Sequence, residues 1–165
     1  MPPLKTNTRT SPKKPRALEA AIKAGRYRNV HRANVTFRVE AIRHGLSATV
    51  MKQMADHMAI SQERLYGTLG LPRATVVRKA RQHALMNPDE SERLLGLAEL
   101  IGQVQEMVAR TGDPTDFDAA KWVAQWMEQP LPALGGKRPA EWMDTAPGRQ
   151  LVSDTIARME SGAYA

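Results

Sequence analysis

Hydrophobic positions along the chain recur mostly at helical spacing. From residue 47 onward, Val50, Met51, Met54 and Met58 form one stripe, with Ser47 placed to cap the helix they define. Ser61 can cap a second short helix, QERLYGTL, which Gly70 ends. Leu71-Pro72 then turns the chain into a third helix that starts near Arg73 and reads ATVVRKARQHAL. Proline near a first helical position is tolerated because the missing N–H would lack a partner there anyway. Asn87-Pro88-Asp89-Glu90 is a compound helix start: a cap, a proline, and two acids at the positive end of the dipole. Leu94, Ala98, Ile101, Val104 and Val108 carry that helix to about Arg110, and Thr111-Gly112-Asp113-Pro114 breaks it. Asp116 can cap a helix holding Trp122 and Trp126 one turn apart, and residues 130–136 (PLPALGG) form a loop. Pro139 opens a short helix through Met143, and Thr145 caps a last one that buries Val152, Ile156 and Met159 and stops at Gly162. The expected fold is all-α.

The first 45 residues carry weaker signals. Residues 1–16 are rich in Pro, Thr and Lys/Arg and nearly devoid of apolar side chains, so they read as a disordered arm. Such an arm either tracks phosphates or aids solubility. A short helix fits Leu18–Ala24, and Val35–Ile42 alternates weakly in the manner of a strand. The predicted organisation is a basic, partly disordered arm over 1–34, a helix-turn-helix region with a long connecting helix over 35–112, and a C-terminal helical unit over 113–165.

Charge divides the chain more sharply than its net value of +7 suggests. Residues 1–85 hold 17 Lys/Arg against 4 Asp/Glu, and residues 86–165 hold 7 against 13. Two surfaces with different partners would produce that asymmetry, a polyanion meeting the first half; a solvated basic face is the plainer alternative. The helix pair joined by Gly70-Leu71-Pro72 has the length and turn chemistry of a helix-turn-helix, whose second helix enters the major groove. Its exposed face offers Arg73, Thr75, Arg78, Lys79 and Arg81, with Val76, Val77 and Ala80 left to pack inward; Arg64 in the preceding helix joins the candidate DNA-binding set. Arginine suits such a face because its planar fork bonds guanine bidentately, whereas lysine mainly meets phosphate. Two positions depart from the motif: Tyr66 stands where a small residue is usual, and Pro72 replaces the common serine cap. The Met stripe and the three tryptophans read as core, with an adaptable binding face and a partner surface as their respective alternatives.

Other chemistries find little support. There is no cysteine, hence no disulfide or thiolate metal site, which suits a cytoplasmic protein. No apolar run is long enough to span a membrane, and no apolar segment follows the basic N-terminus as in a signal peptide. His31, His44, His57 and His83 are scattered without metal-ligand spacing. Leu134-Gly135-Gly136-Lys137 lacks the spacing of a phosphate loop, and Asp113, Asp116 and Asp118 lack the glycine and distal glutamate of a calcium loop. With no nucleophile set beside a base, no catalytic residue, metal or cofactor is expected, and the chain reads as a non-enzyme.

The C-terminal segment resembles the toxin-binding domain of Xre/MbcA/ParS antitoxins. The resemblance is carried by Trp126 before a proline loop, Leu134-Gly135-Gly136, Arg138-Pro139, Asp144-Thr145 and Gly148, then Val152, Ile156, Arg158, Glu160 and Gly162 ahead of a short aromatic tail. Residues from about 45 to 99, including PDESERLL, are similar to the Xre-type helix-turn-helix region. The resemblance implies a type II toxin–antitoxin module. Its partner would resemble a RES-domain toxin that consumes or transfers from NAD. This chain would occupy that toxin's active-site entrance and repress the shared operon as a homodimer on a two-fold operator. It also implies toxin contact by Trp142, Arg158, Glu160 and the tail Gly162, Ala163, Tyr164 and Ala165. The tail is either a plug, its tyrosine and terminal carboxylate mimicking part of a dinucleotide, or a frayed terminus. Arg158 and Glu160 either touch the toxin or form solvated surface pairs. A free-standing repressor whose C-terminal half only dimerises is the alternative function. An adaptor that meets nucleic acid nonspecifically is a third.

Overall fold

A computed structural model describes residues 13–162. Its centre is one helix, Pro88–Thr111, whose strong start is visible in its geometry. The Asn87 side chain accepts from the Glu90 N–H at 2.8 Å, and the Glu90 carboxylate accepts from the Asn87 N–H at 2.8 Å. This closed capping box satisfies two otherwise orphaned donors. Leu94, Leu95, Leu97, Ala98, Leu100, Ile101 and Val104 are all buried, so the helix is apolar around most of its girth. A helix of that kind must be enclosed by others.

In chain order the helices are α1 (Lys13–Lys23), α2 (Tyr27–Arg32), α3 (Val35–His44), α4 (Val50–Met58), α5 (Gln62–Leu69) and α6 (Arg73–Arg81). They are followed by the central α7 (Pro88–Thr111), then α8 (Ala119–Trp126) and α9 (Ala146–Glu160). Single 3-10 turns at Pro132–Leu134 and Pro139–Trp142 fill the α8–α9 connection. Helices α2, α3, α8 and α9 all pack on α7, and α8 also packs on α4. Gly102 permits the closest of these approaches, because a β-carbon there would collide with the Tyr27 carbonyl of α2. No strand forms among the described residues; isolated bridges join Ser47 to Leu85 and Leu131 to Lys137. No described helix is long and apolar enough to cross a membrane.

The all-α expectation holds, and the structure revises it at several points. Residues 13–34 are no arm: Leu18, Ala21 and Ile22 of α1 and Tyr27 and Val30 of α2 are buried in the core. Their basic neighbours hid an ordinary i, i+3, i+4 stripe, and Arg28 and Arg32 both pair with Glu106 of α7 at 2.7 Å. The remainder of the expected disordered segment, residues 1–12, lies outside the described residues. Val35–Ile42 is helical. Asn34 caps it by accepting from the Phe37 N–H at 2.8 Å, and its alternation is two helical faces interleaved. Helix α4 starts at Val50, three residues beyond Ser47, which instead bridges to Leu85. Asp118, not Asp116, caps α8 by accepting from the Lys121 N–H at 3.1 Å. The methionines of α4 are core, each at most 1 % exposed. A single apolar cluster runs from Leu18 through Ile156, spanning all three segments expected from the sequence.

Candidate functional site

The helix-turn-helix is built as its sequence dictates. Ser61 accepts from the Arg64 N–H at 3.1 Å, Gly70 closes α5 in the left-handed region at φ +65°, and Val76 anchors α6 in the core. Because Pro72 supplies no side-chain cap to α6, the turn is braced by other means. Arg73 reaches back to Glu63 at 3.3 Å, an exposed pair of little energetic weight. The stronger braces come from the first turns of α7. Arg93 donates to the Leu69 and Gly70 carbonyls at 3.1 Å each and pairs with Asp89 at 3.1 Å. Glu90, 7 % exposed, takes Lys79 of α6 at 2.5 Å. The capping box of α7 is thus also the clamp on the second motif helix.

Of the six candidate DNA-facing side chains, three share the outer face of the motif. Arg73, Arg78 and Arg81 line an open hollow of about 620 Å³ with Val77 and Gln82, and Thr75 lies half-buried on the same helix. Lys79 is turned the other way onto Glu90 and keeps only 17 % of its side chain exposed. Arg64 also points away from this face, donating to the Ala124 carbonyl at 3.2 Å and pairing with Glu128 at 3.1 Å. Glu128 takes Arg138 as well, at 2.8 Å, so Arg64 ties the motif to the C-terminal unit. Gly70 makes a second such tie, since a β-carbon on it would fall 2.9 Å from the Asp144 β-carbon. Glu90 and Arg93 were not readable as part of the site. Their signal was the i, i+4 spacing of Asp89 and Arg93, which does not say what else the guanidinium reaches.

The candidate residues of the C-terminal unit fall into two groups. Trp142 stands just before α9, with Lys137 Nζ 5.5 Å from its ring centre and its indole N–H buried without a hydrogen-bond partner among the described residues. Gly148 lets the first turn of α9 close over the Trp142 carbonyl. Arg149 then fixes α9 to α7: it is 9 % exposed, bonds the Met143 carbonyl at 3.1 Å and Glu92 at 2.8 Å, and crosses α7 at Gly96. The other group lies at the far end of α9, about 22 Å away at 1.5 Å per residue. There Glu160 pairs with Arg110 at 2.7 Å, Arg158 reaches Thr155 at 3.2 Å, and Gly162 sits in the left-handed region with open space around it. Ala163, Tyr164 and Ala165 lie outside the described residues. Beside this end, the 112–118 connection carries Phe117, 36 % exposed, which begins an aromatic series through Trp122 to the buried Trp126.

Charged groups along α7 hold the two ends in register. Hydrogen bonds from Arg32 and Arg28 pull the Glu106 carboxyl down to about 2, whereas burial pushes Glu99 up against the opposing pull of Arg38. Burial likewise raises the Tyr27 phenol, whose OH meets His57 Nδ1 at 2.7 Å. The 24 residues of α7 place its two ends about 36 Å apart, with the α5–α6 motif at the first and the exit of α9 at the second.

Comparison with known proteins agrees with this division. Residues 37–99 match the antitoxin Xre-like helix-turn-helix domain, and residues 111–162 match the antitoxin Xre/MbcA/ParS C-terminal toxin-binding domain. A protein of Sphingobium sp. (strain YBL2), named Prs ADP-ribosylating antitoxin, is 38% identical over 139 residues, covering 84% of this chain and 87% of the relative. Antitoxin Xre of Yersinia enterocolitica serotype O:8 / biotype 1B (strain NCTC 13174 / 8081) is 24% identical over 129 residues, covering 78% and 82%. With a helix-turn-helix at one end, a toxin-binding domain at the other and that likeness along most of its length, the chain belongs to the Xre/MbcA/ParS family of antitoxins of toxin–antitoxin systems.

Proposed function

We propose that this antitoxin blocks the active site of a RES-type, NAD-consuming toxin with its C-terminal end and represses its own operon, as a homodimer, with the helix-turn-helix. The observation that supports the reading is the separation of the motif from the exit of α9 by the length of α7, which sets the chain's C-terminal segment apart from the DNA-facing helix. At the operator, Arg73, Thr75, Arg78 and Arg81 meet the major groove, the arginines bonding guanine edges or phosphates. Lys79 and Arg64 act indirectly, by holding α6 and α5 in position. At the toxin, the tail Gly162, Ala163, Tyr164 and Ala165 enters the active-site mouth, the Tyr164 ring taking the place of part of the dinucleotide. Arg158 and Glu160 flank that entry, and Trp142 meets the toxin from the opposite end of α9. The name of the Sphingobium relative supports a NAD-dependent partner, since ADP-ribosyl transfer draws its ADP-ribose from NAD. The chain acts by binding, not catalysis, in the cytoplasm where operon and NAD are found.

The test is to express the neighbouring reading frame with and without this chain while following cellular NAD and growth. NAD collapse that co-expression reverses supports the reading, and loss of that rescue on deleting residues 162–165 supports the plug. A harmless neighbour, or toxicity indifferent to this protein, would overturn it in favour of a free-standing repressor.

A further inference from the structure

The segment between α7 and α8 has the make-up of a docking element. Phe117 is one of few large apolar side chains exposed among the described residues, and it sits at the outer end of a stack. Its ring centre is 6.2 Å from that of Trp122, which lies 5.6 Å from Trp126 at an interplanar angle of 12°. Trp126 is 8 % exposed, so the series runs from solvent into the core and gives Phe117 a rigid backing. Beside it, Val108, Ala109, Pro114 and Ala119 help line a hollow of about 250 Å³. Rigid aromatic anchors next to an apolar recess dominate protein interfaces because they bury area at small entropic cost.

Charge says what kind of partner fits. Asp113, Asp116 and Asp118 flank Phe117 in the chain, and the nearby cations are already engaged, Lys121 by Asp118 at 3.6 Å and Arg28 by Glu106 at 2.7 Å. The Thr115 hydroxyl and N–H both donate to Asp113, which holds that carboxyl below its ordinary range, and Asp116 is exposed. Position supplies the third argument. Arg110, at the start of this connection, pairs with Glu160 at 2.7 Å, so the connection and the exit of α9 share one end of the molecule. Both also lie within the stretch that matches the toxin-binding domain.

We infer that Phe117 and its acidic rim form a second contact with the toxin: an apolar anchor seated in a socket edged by Lys or Arg, beside the site where the chain terminus enters. The inference rests on the toxin-blocking reading above and deepens it, because residues 162–165 alone bury too little surface for a stable complex. The anchor would set partner choice, with the aspartates repelling a toxin whose rim is acidic.

The test uses the full chain and the toxin encoded beside it, inactivated by an active-site substitution, titrated by calorimetry. Phe117→Ala is expected to weaken binding by roughly tenfold or more, and Phe117→Leu to retain most of the affinity. Asp116→Lys alters an exposed side chain without touching the core. It is expected to weaken binding several-fold, with the loss shrinking as salt is added. Operator binding of these variants and the melting temperature of Asp116→Lys should match the parent. Parent-like affinity for both Phe117→Ala and Asp116→Lys would overturn the docking element while leaving the toxin partnership intact. Tighter binding by Asp116→Lys would overturn the basic rim. Failure of the unmodified chain to bind would instead overturn the toxin-blocking reading itself.

Discussion

Replacing Lys79 by Met separates two roles that the sequence alone left indistinguishable. If Lys79 met phosphate, its loss would remove one counterion-releasing contact and lower the slope of log K against log salt by about one. The structure gives it another task, since its side chain is 17 % exposed and its ammonium rests on Glu90, 7 % exposed, inside the capping box of α7. Removing one partner of a buried pair costs about 3–5 kcal/mol. The lower end applies, because Lys79 is not fully enclosed and the Asn87 N–H still bonds Glu90 at 2.8 Å. A loss of about 3 kcal/mol in a chain of this size lowers Tm by about 6–12 °C. Thermal melts and fluorescence-anisotropy titrations of operator DNA over a salt series are the assays. Glu90→Gln keeps the capping acceptor and removes the charge, so the double variant should recover part of the loss, with a coupling of about 1–3 kcal/mol. Below the melting range the salt slope should stay at the parent value. A Tm within about 2 °C of the parent, together with a slope reduced by about one, would refute the clamp and return Lys79 to the DNA face.

Further outcomes follow from the same geometry. Gly102→Ala drives a methyl into the Tyr27 carbonyl and should destabilise by about 3 kcal/mol or more, whereas Gly67→Ala, on the open face of α5, should stabilise by about 0.5–1 kcal/mol; chemical denaturation reads both. Glu106, lowered from 4.5 to about 2, contributes stability that is complete above its unfolded value and is lost as pH falls through the folded one. Acid unfolding should therefore show a Glu106-dependent loss between about pH 4.5 and 2 that Glu106→Gln abolishes; a carboxyl titrating near 4.5 by NMR would contradict it. Because one apolar cluster joins α1 to α9, calorimetry should record a single transition, and two resolved peaks would contradict that continuity.

What could be read from the sequence was whatever local chemistry decides. Ser61, Gly70, Asn87 and Thr145 mark helix ends because a cap or a left-handed turn requires their residue types within a few positions. The pattern after residue 47 therefore yielded the helix-turn-helix and α7 nearly to the residue. Three other features depend on partners distant in the chain. Val35–Ile42 alternates locally, but Asn34 and packing on α1 and α7 make it a helix. Arg28 and Arg32 counted as basic-arm residues until Glu106, more than 70 positions away, claimed them. Lys79 and Arg64 lie on a helix pair whose outer face is basic, and nothing in their spacing reveals that Glu90 and Glu128 wait on the inner side. The tryptophans divided for the same reason: Trp126 is core, while Trp122 and Trp142 remain half-exposed.

The continuous core also bears on how such a protein is destroyed. Helix α8 packs against α4 as well as α7, so neither half owns a complete set of apolar neighbours. A protease that cuts between α7 and α8 therefore severs the helix-turn-helix from the helix that packs on both α4 and α7. Turnover of one molecule ends both of its duties at once. Loss of one folded chain then removes its helix-turn-helix and its toxin-binding domain in the same event, and the lifetime of that single chain becomes the clock for both.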